Sequence, residues 1–254
     1  MELKKYVQKL TERSNIARFE QVQIALNQLK IRYDCQIQSK WDGSNIIVGS
    51  GRGLLVCAHH DSKQHDGFSC PGANDNASGV AVLLSLSDYF RENYDLVSFA
   101  FFAEEEKEMD GSHYYVSKMP LPTAVLCLEW VGNGNTIGIY PNNNTALYDL
   151  LSSTAEMLSI PYLTFPSIGE LYSDDVPFRE KGIDAHCISL ITEEDYAIVS
   201  KYEPKTAEET RTIFRQLSIA QIYHSPQDTA EKIQEASLQL AFEFAKKTIE
   251  DYIK

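Results

Sequence analysis

Hydrophobic and polar positions change period repeatedly along this chain, and the changes mark out its elements. In residues 1–30, Phe19, Val22, Leu26 and Leu29 recur at helical spacing and predict an amino-terminal helical segment with one packing face. Residues 31–38 then alternate, with Ile31, Tyr33, Cys35 and Ile37 set against polar neighbours, which is the period of a half-buried strand. Asn45 to Val48 and Leu54 to Ala58 add two more strands, and the three in succession predict a sheet edge. The last of them is a short apolar run bounded by glycines, as in a strand buried in the middle of an α/β sheet.

After a loop marked by Gly67, Pro71 and Gly72, the run from Asp75 to about Phe90 is apolar on nearly every side and predicts a deeply buried helix. Leu96 to Phe102 and Ala124 to Leu128 read as further buried strands, and Asn133-Gly134 predicts a hairpin-type turn into a strand at Thr136 to Tyr140. A helix follows from about Thr145 to Leu158, then a short helix after Tyr172-Ser-Asp-Asp-Val-Pro-Phe and a strand from Ala185 to Ile191. Residues 192–222 are charged, partly helical and without an obvious core role, so they predict either a wall or lid over a site or a surface excursion. Near the end, Asp228 and Glu231 have the spacing of a capping box for a last helix, with Pro226 fixing the turn before it.

Size and charge narrow the picture. A length of 254 residues with 43% hydrophobic positions suits one α/β domain spanning the whole chain, 1–254, with a sizeable core. The formal charge of -13 argues against nucleic acid or an anionic membrane as partner, because both would be repelled, and leaves metals and cationic groups as the better-suited ligands. The five cysteines are odd in number, widely spaced and without a Cys-x-x-Cys pair, which fits a reduced compartment. No run approaches the length of a membrane span and the first residues lack an apolar signal segment, so a cytoplasmic location is expected.

The chemistry gathers at strand ends. His59 and Asp61 leave the strand at Leu54 to Ala58 at its carboxyl edge, where open α/β sheets place their ligands, and Asp75 arrives as the buried helix begins. Taken alone, the histidine reads better as a packed core residue and the aspartate as a helix cap. Acids at 104, 105, 106, 108 and 110 crowd the end of the next strand and would repel one another unless solvent or a cation compensates them. Adjacent carboxylates there can divide the labour between metal ligand and proton carrier. Glu129 is a third strand-terminal acid, and His224 precedes the last helix. His60, His65, His113 and His186 have no comparable setting and read as surface or core residues. As an inventory, His59, Asp75, Glu106, Glu129 and His224 suit zinc, which takes imidazole and carboxylate ligands.

Four motifs in order now support a resemblance: His-x-Asp-Ser at 59–62, Pro-Gly-Ala-x-Asp-Asn-Ala-Ser-Gly at 71–79, Glu-Glu ahead of Gly111-Ser112, and His-x-Pro-x-Asp-Thr at 224–229. From about residue 45 onward the chain resembles the zinc-dependent aminopeptidase family that includes bacterial leucyl aminopeptidases, glutamate carboxypeptidase and glutaminyl cyclases. The resemblance implies an α/β fold, a three-layer αβα sandwich with a mixed, mainly parallel central sheet. It implies two zinc ions per chain, one on His59 and Glu129, the other on Glu106 and His224, with Asp75 bridging. Asp61 would fix the His59 tautomer and Glu105 would act as general base, so that a metal-bridging hydroxide cleaves the first peptide bond of a peptide with a free amino terminus. Counting back from Gly111-Ser112 selects Glu105 and Glu106 as the pair, and a register one residue earlier, Glu104 and Glu105, stays open. Against the family pattern, Asn74 stands for an aspartate, Glu129 for a shorter aspartate, Asp175 for a histidine and Glu108 for a glycine. A single-zinc cyclase and a non-catalytic binding protein on the same scaffold are the rival functions. The preferred residue and the oligomeric state are not legible.

Overall fold

A computed structural model describes residues 3–36, 44–65, 68–165, 172–202 and 206–254. Ten strands and ten α-helices alternate among them. The strands are β1 (Asp34–Gln36), β2 (Asn45–Val48), β3 (Leu54–His59), β4 (Gln64–His65), β5 (Phe68–Ser69), β6 (Val97–Phe102), β7 (Ala124–Leu128), β8 (Thr136–Tyr140), β9 (Tyr162–Thr164) and β10 (Asp184–Ile191). The helices are α1 (Leu3–Leu10), α2 (Asn15–Gln28), α3 (Ser78–Tyr89), α4 (Asp110–Lys118), α5 (Ala146–Met157), α6 (Val176–Glu180), α7 (Glu193–Val199), α8 (Ala207–Phe214), α9 (Ser218–Ile222) and α10 (Glu235–Tyr252).

Eight strands form one sheet in the order β1-β2-β6-β3-β7-β10-β8-β9, and β4 pairs with β5 apart from it. The central pairs β6/β3, β3/β7 and β7/β10 are parallel, whereas β1/β2, β2/β6 and β10/β8 are antiparallel. The sheet is therefore mixed and mainly parallel at its centre. Side chains alternate across it. Leu54, Val56 and Ala58 of β3 join the larger core with α1, α2, α3, α5 and α10, while Leu55 and Cys57 join a second core with Tyr115 of α4 and Phe178 of α6. Helices thus cover both faces, the three-layer arrangement that a central parallel sheet requires. Among the described residues no helix is long and apolar enough to cross a membrane, and all five cysteines are free thiols.

The fold departs from the sequence expectations in four places. The amino-terminal segment is two helices, because the chain turns at Thr11 to Arg13 and Ser14 caps α2 by accepting from the Ala17 N–H. The three early strands are not neighbours in succession, since β6 inserts between β2 and β3 and pairs with both. Ile37 and Gln38 of the first expected strand, and Gly67 of the loop, lie outside the described residues. The turn at Asn133-Gly134 does not make a hairpin, because β10 lies between β7 and β8. Asp228 and Glu231 form no capping box for the last helix, which starts only at Glu235 after a single 3₁₀ turn, Ala230–Lys232. The Asp228 carboxylate is used elsewhere, as described below.

Helix α3 shows how little surface remains at the centre. Ten of its twelve residues, from Ser78 to Ser87, are buried, which matches its unbroken apolar sequence and its place between the sheet, α1 and α10. Leu83→Ala should therefore lower unfolding free energy by about 2–5 kcal/mol, the cost of an unfilled core site. Met157→Ala, at a side chain 60% exposed on α5, should change it by less than about 0.5 kcal/mol. Urea unfolding of the two variants checks both values.

Candidate metal centre

Because β3, β6 and β7 run parallel and adjacent, their carboxyl ends open at one edge of the sheet. His59 is the last residue of β3 and pairs in register with Phe102, the last residue of β6. Two residues past Phe102 the chain turns at Glu104, which has φ +58°, and lays down Glu105 and Glu106. Glu129 directly follows β7 and is fixed by its N–H donating to the Ile188 carbonyl. Two further groups come from loops. Asp75 lies in a π-type turn, Ala73–Ala77, at the start of α3, and the Asp75–Asn76 peptide is cis. His224, at φ +51°, is stacked on Tyr223 with ring centroids 3.6 Å apart.

Asp75 sits between two groups of ligands. Its Oδ1 is 3.2 Å from His59 Nε2, and its Oδ2 is 3.3 Å from His224 Nε2. Glu129 Oε2 completes the first group at 3.4 Å from His59 Nε2, and Glu106 Oε2 completes the second at 2.9 Å from His224 Nε2. Within each group the ligand atoms all lie within 4.8 Å of one another. All five residues singled out from the sequence as metal ligands therefore converge on one place.

The surrounding bonds hold these side chains in position. Asp61 has Oδ1 3.3 Å from His59 Nδ1, and its two oxygens accept the N–H groups of Glu105 and Glu106, each at 3.2 Å. One buried carboxylate thus orients the imidazole and anchors the acidic turn. Glu129 Oε2 accepts from Asn76 Nδ2 at 3.2 Å and from Ser173 Oγ at 2.9 Å. The backbone of the Asp75 turn is gripped by Asp228, whose oxygens accept the N–H of Asn74 at 2.7 Å and of Asp75 at 3.0 Å. Asn74 Oδ1 in turn accepts the Gly132 N–H at 2.7 Å and ties this turn to the loop after Glu129. Sequence reading missed Asn76, Ser173 and Asp228 as parts of the site. Adjacency to Asp75 was the signal for Asn76, but nothing local distinguishes Ser173, and Asp228 carried the spacing of a helix cap.

The remaining candidates separate cleanly. Glu104 is 1% exposed and its carboxylate pairs with Lys107, and of the three consecutive glutamates it is Glu106 whose carboxylate lies in one of the two ligand groups. Asp175 is buried and accepts from Arg179 Nε at 2.8 Å, an ion pair within α6. His60 is buried beside Phe19, and His186 is buried against Thr145 and Asp184, both as core residues.

Electrostatics shows what this arrangement lacks. Burial pushes Glu129 up to about 8, against the pull of His59, and raises Glu106, with Asp75 adding repulsion. Loss of water also raises Glu105 well above the carboxylate range, and Glu129, Asp174 and Glu106 add to that. Burial opposes charge on His59, but Glu129 and Glu105 outweigh it and raise the imidazole well above its ordinary value. His224 likewise reaches about 9 through Asp75 and Glu106 despite burial. Both ring nitrogens of His59, with Glu106 Oε1 and Glu129 Oε1, are buried without a hydrogen bond of good geometry. Crowded acids, histidines held by acids and unbonded inward-facing donor atoms fit divalent metal, whose charge reverses each of these penalties.

Beside the centre lies an apolar cleft of about 810 Å³, counted out to its open mouth. Asn74 and Trp130, next in sequence to Asp75 and Glu129, line it from the metal side, with Tyr140, Phe165 and Ile191 from the sheet. Residues 192–222, apart from 203–205, which lie outside the description, form its far wall. Asp195 fastens that wall by accepting from Ser218 N–H at 2.7 Å and Ser218 Oγ at 2.6 Å.

Comparison with known proteins agrees with this geometry. Aminopeptidase YwaD of Bacillus subtilis (strain 168) is 28% identical over 214 residues, which make up 79% of this chain and 41% of that protein. The solved structure of BSAP, a zinc aminopeptidase from Bacillus subtilis, matches at TM-score 0.64 and 24% identity, over 84% of this chain and 50% of the other. Glutaminyl cyclase from Porphyromonas gingivalis matches in fold at TM-score 0.70 and 19% identity, over 98% and 97% of the two chains. The chain spans half or less of the length of these Bacillus relatives. The sequence model of peptidase family M28 matches residues 39–249, a span that holds His59, Asp75, Glu106, Glu129 and His224. The chain belongs to peptidase family M28.

Proposed function

We propose that this protein is a zinc-dependent aminopeptidase that removes the first residue of peptides with a free amino terminus, using two zinc ions. The observation that carries the reading is Asp75, whose two oxygens face different histidines and so belong to two ligand groups at once. His59 and Glu129 would hold one ion, Glu106 and His224 the other, with Asp75 shared. Zinc so held supplies Lewis acidity, which polarises a carbonyl oxygen and acidifies a water.

The chain's own residues do the rest. Glu105, raised in pKa and adjacent to a ligand, is suited to take a proton from the attacking water and return it to the leaving amine, as a general base and then acid. Asp61 Oδ1, 3.3 Å from His59 Nδ1, would keep the ring proton on that side once metal displaces the other, so that Nε2, which faces Asp75 and Glu129, is the ligand atom. The remaining negative charge offers a counterion to a substrate α-ammonium group, and the cleft beside Trp130 has the room and the apolar lining for the side chain that follows it. The names of the Bacillus relatives support the same activity.

Four outcomes test this reading. Zinc-loaded protein should hydrolyse unblocked aminoacyl amides and leave their acetylated counterparts intact; equal turnover of both sinks the exopeptidase assignment, and ammonia release from amino-terminal glutamine without cleavage makes the protein a cyclase. Elemental analysis should approach two zinc ions per chain, with Asp75→Ala losing both, whereas a wild-type ratio that never passes one removes the two-metal reading. Glu105→Gln should keep its zinc and lose about 10²–10⁴-fold in kcat, Glu106→Gln should bind zinc more weakly, and Glu104→Gln should be mild in both assays. Because His224 keeps a proton up to about pH 9 in the metal-free protein, zinc must displace it, and zinc affinity measured by competition should fall as pH is lowered from 9 to 6.

A further inference from the structure

Arg18 of α2 has 0% of its surface exposed and is the largest side chain so buried. It belongs to no motif, and it lies before residue 39, where the family match begins. Burying a guanidinium costs several kcal/mol unless hydrogen bonds and opposite charge compensate it, so a residue that only pegged α2 to the core would be better apolar. Most of the hydrogen bonds, and the opposite charge, come from beside the metal centre, while Nη2 is buried without a hydrogen-bond partner. Arg18 Nε donates to the carbonyl of His60, the residue after His59, and Nη1 lies 3.1 Å from the Gly72 carbonyl and 3.4 Å from that of Pro71, in the turn that delivers Asp75. Nη1 also reaches the Leu10 carbonyl of α1 at 3.2 Å. The carboxylates that act on its charge are those of Asp61, Asp228, Asp75 and Glu106.

The approach is close enough to constrain the turn itself. Gly72 has φ +66°, and a Cβ there would stand 2.9 Å from Arg18 Nη1 and 2.7 Å from Ser62 Cβ. A glycine lets the turn close on the guanidinium from one side while His60 meets it from the other.

We infer that Arg18 is a positioning residue for the metal centre: its planar fork ties the backbone next to His59 to the backbone ahead of Asp75, so that the two ligands arrive at a fixed separation. The inference rests on the reading of the centre as a zinc site. Geometry and charge predict opposite signs. As a cation near bound zinc, Arg18 by itself would weaken metal binding, so any tightening it gives must come from holding the loops. Arg18→Lys keeps the charge but replaces the planar fork by a point donor on a flexible stem, and Arg18→Met removes both charge and fork.

Zinc release from the loaded protein to a chromogenic chelator is the measurement, with circular dichroism of the metal-free forms to confirm folding. Positioning requires release about 10–100-fold faster in both Arg18→Lys and Arg18→Met. Wild-type release in both, or wild-type release in Arg18→Lys with slower release in Arg18→Met, overturns the inference. If Arg18→Met does not fold, Arg18→Lys alone decides it. A check that needs no substitution is the nitrogen resonance of the Arg18 Nε–H in wild-type protein, which should shift in step with zinc occupancy; a resonance indifferent to zinc counts against the assignment as firmly. Wild-type protein that takes up no zinc fails the proposed function, whereas zinc-loaded variants as slow to release as wild type fail this inference only.

Discussion

Asp75 presents one carboxylate oxygen to His59 and the other to His224, and much of the polar interior serves to hold it there. A shared carboxylate fails if its backbone drifts, because moving toward one histidine is moving away from the other. The turn that carries it is accordingly fastened from three directions. Asp228 accepts its N–H groups, Asn74 accepts the Gly132 N–H in the loop after Glu129, and Arg18 takes the carbonyl of Gly72. These partners come from the carboxyl-terminal loop, the segment after β7 and the amino-terminal helices, so that distant parts of the chain meet on a few residues.

The arrangement places several acids where water is scarce. Asp61, Asp75 and Glu129 are each buried around His59, and more acids than one imidazole can balance are expensive there. The parallel core gives the site a rigid floor, since β3 and β6 are paired along their whole lengths, to His59 and Phe102, and β7 is paired with β3 from Leu54 to Cys57. Helix dipoles or solvent cannot balance that much negative charge at so small a spot, whereas a divalent ion can. On the proposed reading of the site, stability of the metal-free protein and affinity for metal would be set by the same residues.

The cleft beside the centre belongs to a different layer of organisation. Its inner wall is sheet and its outer wall is the helical segment after β10, clasped by Asp195 to Ser218. Trp130 stands where the two systems meet, packed against Phe214 and Tyr223 while following Glu129 directly in sequence. Changes of cleft lining in α7 to α9 can reshape that surface without touching the two candidate ligand groups, which lie elsewhere.

Read alone, the sequence determined the elements and the chemistry. Unbroken apolar runs fixed β3, β6, β7 and α3, since period and length are local properties. The four motifs carried the family and four of the candidate ligands, His59, Asp75, Glu106 and His224, because each motif is contiguous, while Glu129 stood out only as an acid ending a strand. Only the tertiary structure decided strand order, with β6 entering between β2 and β3 and β10 between β7 and β8, because pairing depends on which edges meet and not on succession. It also decided roles that depend on a distant partner. The spacing of Asp228 and Glu231 is that of a helix cap, yet Asp228 lies where the Asp75 turn offers two N–H groups, and that nearer demand takes it. Arg18 stands four residues before Val22, on the packing face of α2, and nothing local says what its charge meets there. Only when α2 packs behind β3 does its guanidinium find the carbonyls of His60 and Gly72, residues 42 and 54 positions away.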